Sequence, residues 1–174
     1  MSILLPVAVL ASLAGQASPP ADPLAPAASG MLQCYAPDVV RHRCQSLAGY
    51  RKRADGMFDN SAVVMLSPSP YVVMETVTPV EIDAGAVCGA IRKQDIEAAI
   101  VSVDGKKLVE PYATNLRARI AAGMKPIIDH RICTTYVPDG ERFIARAVIE
   151  GSTQTTTEQT VIWVSPDAGY TVAP

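Results

Sequence analysis

The chain has no Cys-x-x-Cys pair, no Gly-x-Ser-x-Gly elbow, no phosphate loop, no His-Glu-x-x-His and no dinucleotide fingerprint. These absences remove the motif-bearing zinc, hydrolase, nucleotide and redox-cofactor classes, and no cofactor or metal is expected. There are only two histidines, His42 and His130, and neither stands at a recognised ligand spacing from a cysteine. Positive charge is not in excess either. The formal net charge is −2, so a nucleic-acid partner is not expected. No apolar run reaches the ~20 residues that a membrane-spanning helix needs.

The composition that is present, 49% hydrophobic and 18% charged over 174 residues, belongs to a globular chain with one core. Ile3 to Ala14 is a short apolar run, and Gly15-Gln16-Ala17 places small residues where a signal peptidase cuts. Residues 1–17 therefore read as an export signal, with an exported chain that is not transmembrane once processed. Residues 18–30 are Pro, Ala and Ser with few other types, a composition expected to form a flexible tether. Residues 31–174 are expected to form a single disulfide-braced domain. The first cysteine is Cys34, too far from the cut for a lipid anchor.

Four cysteines behind an export signal imply two disulfides in a periplasmic or extracellular setting. Cys34 with Cys44 and Cys88 with Cys133 is the preferred pairing of the three that are possible, because Cys34 and Cys44 lie close together in one short loop. The second bridge would tie a helical segment to a strand.

Ala62–Leu66 and Tyr71–Val80 are rich in Val, Met, Tyr and Thr and read as two strands around a proline-containing loop. Ile91, Ile96, Ile100 and Val103 approximate a helical stripe ending at Gly105. Tyr112, Leu116 and Ile120 form a second stripe, with Pro111 in the first turn, a stop at Gly123, and Arg117 and Arg119 pointing away. A hairpin is centred on Val137-Pro138-Asp139-Gly140-Glu141, and a last strand runs through Thr160–Val164. The stretch Gly151–Thr157 reads as an exposed connection. The order ββααβββ predicts an α+β fold, an antiparallel sheet of about five strands with two helices on one face.

The proline-fixed φ of Pro138 favours a three-residue hairpin loop in which Val137 opposes Glu141 and Cys133 opposes Ala145. In that register Cys133 and Phe143 face inward. His130, Tyr136, Arg142 and Arg146 share the outer face. That face, with the basic segment Arg51-Lys52-Arg53, is the candidate ligand-binding surface. The expected function is an exported, non-catalytic binding or envelope-associated module that meets an anionic envelope component or a protein partner. A small secreted hydrolase without a recognisable motif is the alternative. Asp129-His130 resembles a catalytic pair on paper, but neighbouring strand residues point to opposite faces. Glu75 and Trp163 fit structural roles.

Overall fold

The computed structural model describes residues 22–151 and 157–174. The segment read as an export signal, and most of the 151–157 connection, lie outside the described residues. Eight antiparallel strands carry the fold: β1 Leu32–Tyr35, β2 Ser46–Lys52, β3 Phe58–Pro68, β4 Tyr71–Asp83, β5 Ala86–Ala90, β6 Arg131–Asp139, β7 Arg142–Ile149 and β8 Thr157–Val164. Each strand pairs with the strand next to it in sequence. The β1–β8 pairing joins the two ends, so the sheet closes on itself as an up-and-down barrel. Closure removes the exposed edges that a five-stranded sheet would leave.

The α+β expectation is thus overturned: the two helices, α1 Lys93–Ala98 and α2 Tyr112–Met124, are an insert between β5 and β6 and do not form a layer on one sheet face. The predicted first helix is only six residues long. Its apparent continuation, Ile100–Val103, is a strand against β4, with Ile100 opposite Glu75. The Ile-Val-Ser-Val run is β-branched, and a short apolar run of this kind fits either period. In α2 the inward stripe is Ala113, Leu116, Ile120 and Met124, and Tyr112 is exposed. Arg117 does not point away. It is mostly covered and donates to the Ala99 carbonyl at 3.3 Å. The Glu110 carboxylate accepts from the Thr114 amide at 3.0 Å, capping the helix start where Pro111 offers no side-chain acceptor.

The two ends of the barrel are filled differently. Met74, on the inward side of β4, joins Ala99, Val101 and Ala113 in a core that the helical insert lays over one end. At the other end Leu24, 2% exposed, seats among Val80, Val87, Tyr50, Phe58, Ile82, Tyr136 and Trp163. Leu24 precedes a 3-10 turn, Ala25–Ser29, that ends on Gly30 in the left-handed region at φ 77°. From Asp22 onward, therefore, the stretch expected as a tether packs against the barrel. Its prolines and alanines make a rigid arm that carries one large apolar side chain to a hole. The burial is worth about 2 kcal/mol.

Both disulfides form as paired above, Cys34 with Cys44 and Cys88 with Cys133. The second does not reach from a helix to the sheet, because Cys88 and Cys133 are directly opposed on the neighbouring strands β5 and β6. Two disulfides fit an exported chain, and no helix among the described residues is long and apolar enough to cross a membrane.

The hairpin register also differs from expectation. Asp139 opposes Arg142, which leaves Gly140-Glu141 as a two-residue loop with Gly140 at φ 63°. Glycine at the first loop position suits a hairpin turn of type II′. In such a loop the closing pair carries the ladder hydrogen bonds, so Pro138, opposite Phe143, falls where no donor is needed. On its other side β5 reaches only as far as Thr134. Pro79 is likewise inside β4, opposite Asp59, at a position that β5 does not cover. The changed register puts Cys133 opposite Val148 and Tyr136 opposite Ala145, which turns Tyr136 inward and Cys133 outward.

Candidate functional site

The barrel interior, rather than its outer face, gathers the polar groups. β1 contributes Gln33 and Tyr35, β2 contributes Tyr50, and β6 contributes Tyr136. Gln33 is fully buried. Its Oε1 accepts from the hydroxyls of Tyr50 at 2.7 Å, Tyr35 at 3.0 Å and Tyr136 at 3.2 Å. The Tyr35 and Tyr136 hydroxyls lie 2.6 Å apart. A carbonyl oxygen has two lone pairs, so three hydroxyls around it share them and one another. Burial, and after it the Tyr136 phenol, pushes Tyr35 well above the ordinary phenol range. Burial, and then Tyr35 and Tyr136, does the same for Tyr50. Both are neutral hydroxyls at physiological pH, which makes them hydrogen-bonding groups and not nucleophilic phenolates.

Beside this cluster lies a cavity of about 220 Å³ that is open to solvent. Tyr35, Tyr50 and Tyr136 form one wall, and Asn60, Thr78 and Thr134 add further neutral polar groups. Ala62, Val80, Val87, Gly89, Ala90, Ile91 and Ile132 complete an apolar lining. Most of these side chains are half-buried because they face this space. Gly89 stands opposite Val80, where a Cβ would come within 2.8 Å of Val80 Cγ1. Two buried polar atoms have no hydrogen-bond partner among the described residues, Gln33 Nε2 and Asn60 Oδ1. Buried polar atoms are nearly always paired, so these two stand out in the interior.

The residues predicted to share the outer face divide between the two sides of the wall. His130 is exposed, with Nδ1 3.1 Å from the Glu150 carbonyl, and Asp129 before it is at φ 61°. Tyr136 faces the lumen. Arg146 is paired with its cross-strand neighbour Glu158 at 2.7 Å, and Arg142 closes the hairpin on the outside. In the basic segment, Arg51 pairs with Asp59 at 2.8 Å and Arg53 with Asp55 at 2.8 Å, while Lys52 lies 6.0 Å from the centre of the Phe58 ring. The acidic partners come from the next turn and strand, so the run of cations is largely compensated locally. Gln33, Tyr35, Tyr50 and Asn60 were missed. Their period-two spacing, Gln33/Tyr35 and Ala48/Tyr50, is the available signal.

Fold and site together define a closed antiparallel barrel with a neutral, hydrogen-bonding lumen. Comparison with protein-family models, curated proteins and solved structures finds no match for this chain.

Proposed function

We propose that this is an exported, non-catalytic binding module, periplasmic or extracellular, that holds a small ligand inside the barrel. The supporting observation is the cavity of about 220 Å³ beside three phenols and an unpartnered amide. Eight-stranded barrels are wide enough either to fill with side chains or to hold one small molecule, and small residues at Ala62, Gly89 and Ala90 favour the second. An apolar cavity with a few converging polar groups is the usual form of a ligand site. An anionic partner at the outer face is less favoured, since Arg51, Arg53 and Arg146 are already paired. The hydrolase alternative calls for an imidazole or carboxylate in the cavity, whereas its described lining is apolar or neutral.

The test is to purify the exported protein from its native host, denature it and identify released small molecules by mass spectrometry, in parallel with Ala62→Leu, which fills the cavity. A compound near one equivalent in the wild type and absent from the folded variant supports the reading. The same compound retained by Ala62→Leu places the ligand outside the lumen.

A further inference from the structure

We infer that the lumen takes a small uncharged molecule, apolar over most of its surface, with one polar group that both donates and accepts hydrogen bonds, such as an alcohol, phenol or carboxamide, docked against Asn60. This rests on the lumen being the ligand site and narrows what enters it.

Size comes first. An apolar cavity of about 150 Å³ holds a benzene, so about 220 Å³ admits a ring with one substituent and falls short of the ~300 Å³ at which drug-sized pockets begin. Charge is next. The polar groups around the space are hydroxyls and amides, with no ionised side chain among the described lining. An ion entering there would exchange water for a lining that offers no counter-charge. The polar end is placed by Asn60, which lies in the wall across from Tyr50 on one side and Thr78 on the other. Its Oδ1 is buried without a partner and, as placed, is sealed from the cavity. A half-turn of the amide presents either its carbonyl or its NH2 to the cavity, since both ends fill the same shape. A ligand group that can donate or accept meets whichever end is turned to it. A ligand that donates draws the carbonyl round to the cavity, and a purely apolar one leaves it sealed and unpartnered.

Four probes of nearly equal shape separate these terms: benzyl alcohol, toluene, benzoate and benzylammonium, titrated into the exported protein by calorimetry and by ¹H–¹⁵N NMR of the Asn60 side-chain NH2. Benzyl alcohol is expected to bind at least about tenfold tighter than either ion and several-fold tighter than toluene, a 1.4 kcal/mol difference being tenfold. The Asn60 NH2 resonance should move with benzyl alcohol and stay in place with toluene. In Asn60→Leu, benzyl alcohol should lose its advantage while toluene still binds. If that variant does not fold, the wild-type NH2 shift carries the test.

Benzoate or benzylammonium binding as tightly as benzyl alcohol, or an unmoved Asn60 resonance, overturns the inference and leaves the lumen as the site. Equal binding of benzyl alcohol and toluene does so as well, with water satisfying Asn60. Binding that persists unchanged in Ala62→Leu overturns the lumen site itself, and no binding by any of the four overturns both.

Discussion

The two faces of the same barrel wall solve the problem of polar residues in opposite ways. Along β7, Ala145 is buried toward the lumen while the next residue, Arg146, pairs with Glu158 in solvent. Outside, the strands are crossed by ion pairs such as Arg51–Asp59 and by the Arg131 guanidinium bound to both Glu81 and Asp83. Inside, the polar groups are neutral and converge on the single amide of Gln33. The physical reason is dielectric. Exposed ion pairs gain little and lose little when broken, whereas a hydrogen bond out of water is strong and its loss leaves a group that water cannot rescue.

That contrast can be broken most severely at Gln33. Gln33→Leu removes the acceptor shared by three hydroxyls and is expected to lower unfolding free energy by at least about 3 kcal/mol, measured by urea denaturation. A loss below about 1 kcal/mol would mean that the phenols find other partners and the network is not the organiser of the lumen. Leu24→Ala tests the plug and should cost about 2–3 kcal/mol by opening a hole at one barrel end. A stability unchanged from wild type would show that the arm merely rests on the rim.

A third effect concerns pH and separates the faces without removing contacts from the wild type. Folded Tyr35 and Tyr50 hold their protons more tightly than the unfolded chain does. Their contribution is fully present below the unfolded phenol pKa of about 10, and is lost as pH rises from there through the raised folded values. Stability should therefore fall with pH above about 10. In Tyr35→Phe/Tyr50→Phe the slope, compared at matched denaturant midpoints, should flatten; an identical slope would assign the alkaline loss to other groups. The smallest effect belongs to the outer face. Arg146→Ala should change stability by no more than about 0.5 kcal/mol, and a loss as large as that at Gln33 would erase the distinction between the two faces.

Much of the strand content was legible from local pattern, but the side that each strand shows was not. Tyr71–Val80 was legible from its Val, Thr and Tyr content, and the observed strand extends it to Asp83. Ser46–Lys52 is a strand whose charges, Arg51 and Lys52, mark only its end, while Ala48 and Tyr50 line the interior. Tyr136 was placed on the outer face with Arg146. Cys133 lies opposite Val148 instead of Ala145, a shift of three positions, and any odd shift reverses every side chain of β6 relative to β7; the proline argument placed the loop at Pro138–Gly140 instead of Gly140-Glu141. The candidate site was hidden for the same reason, since it is built of tyrosines, a glutamine and an asparagine that a hydrophobicity pattern sends to solvent.

The sequence by itself determined that Cys34 and Cys44 lie close enough to pair, where most strands run, and that Gly140 would sit in a turn, because spacing, β-branching and backbone freedom are local properties. Tertiary structure alone decided that β1 meets β8, that Leu24 returns to stopper the barrel, and that Tyr35, Tyr50 and Tyr136 gather on Gln33. Those contacts include positions more than a hundred residues apart, Gln33 with Tyr136 and Leu32 with Val164 among them. Their stabilisation comes from excluding water around the whole closed ring, which no single segment can do alone.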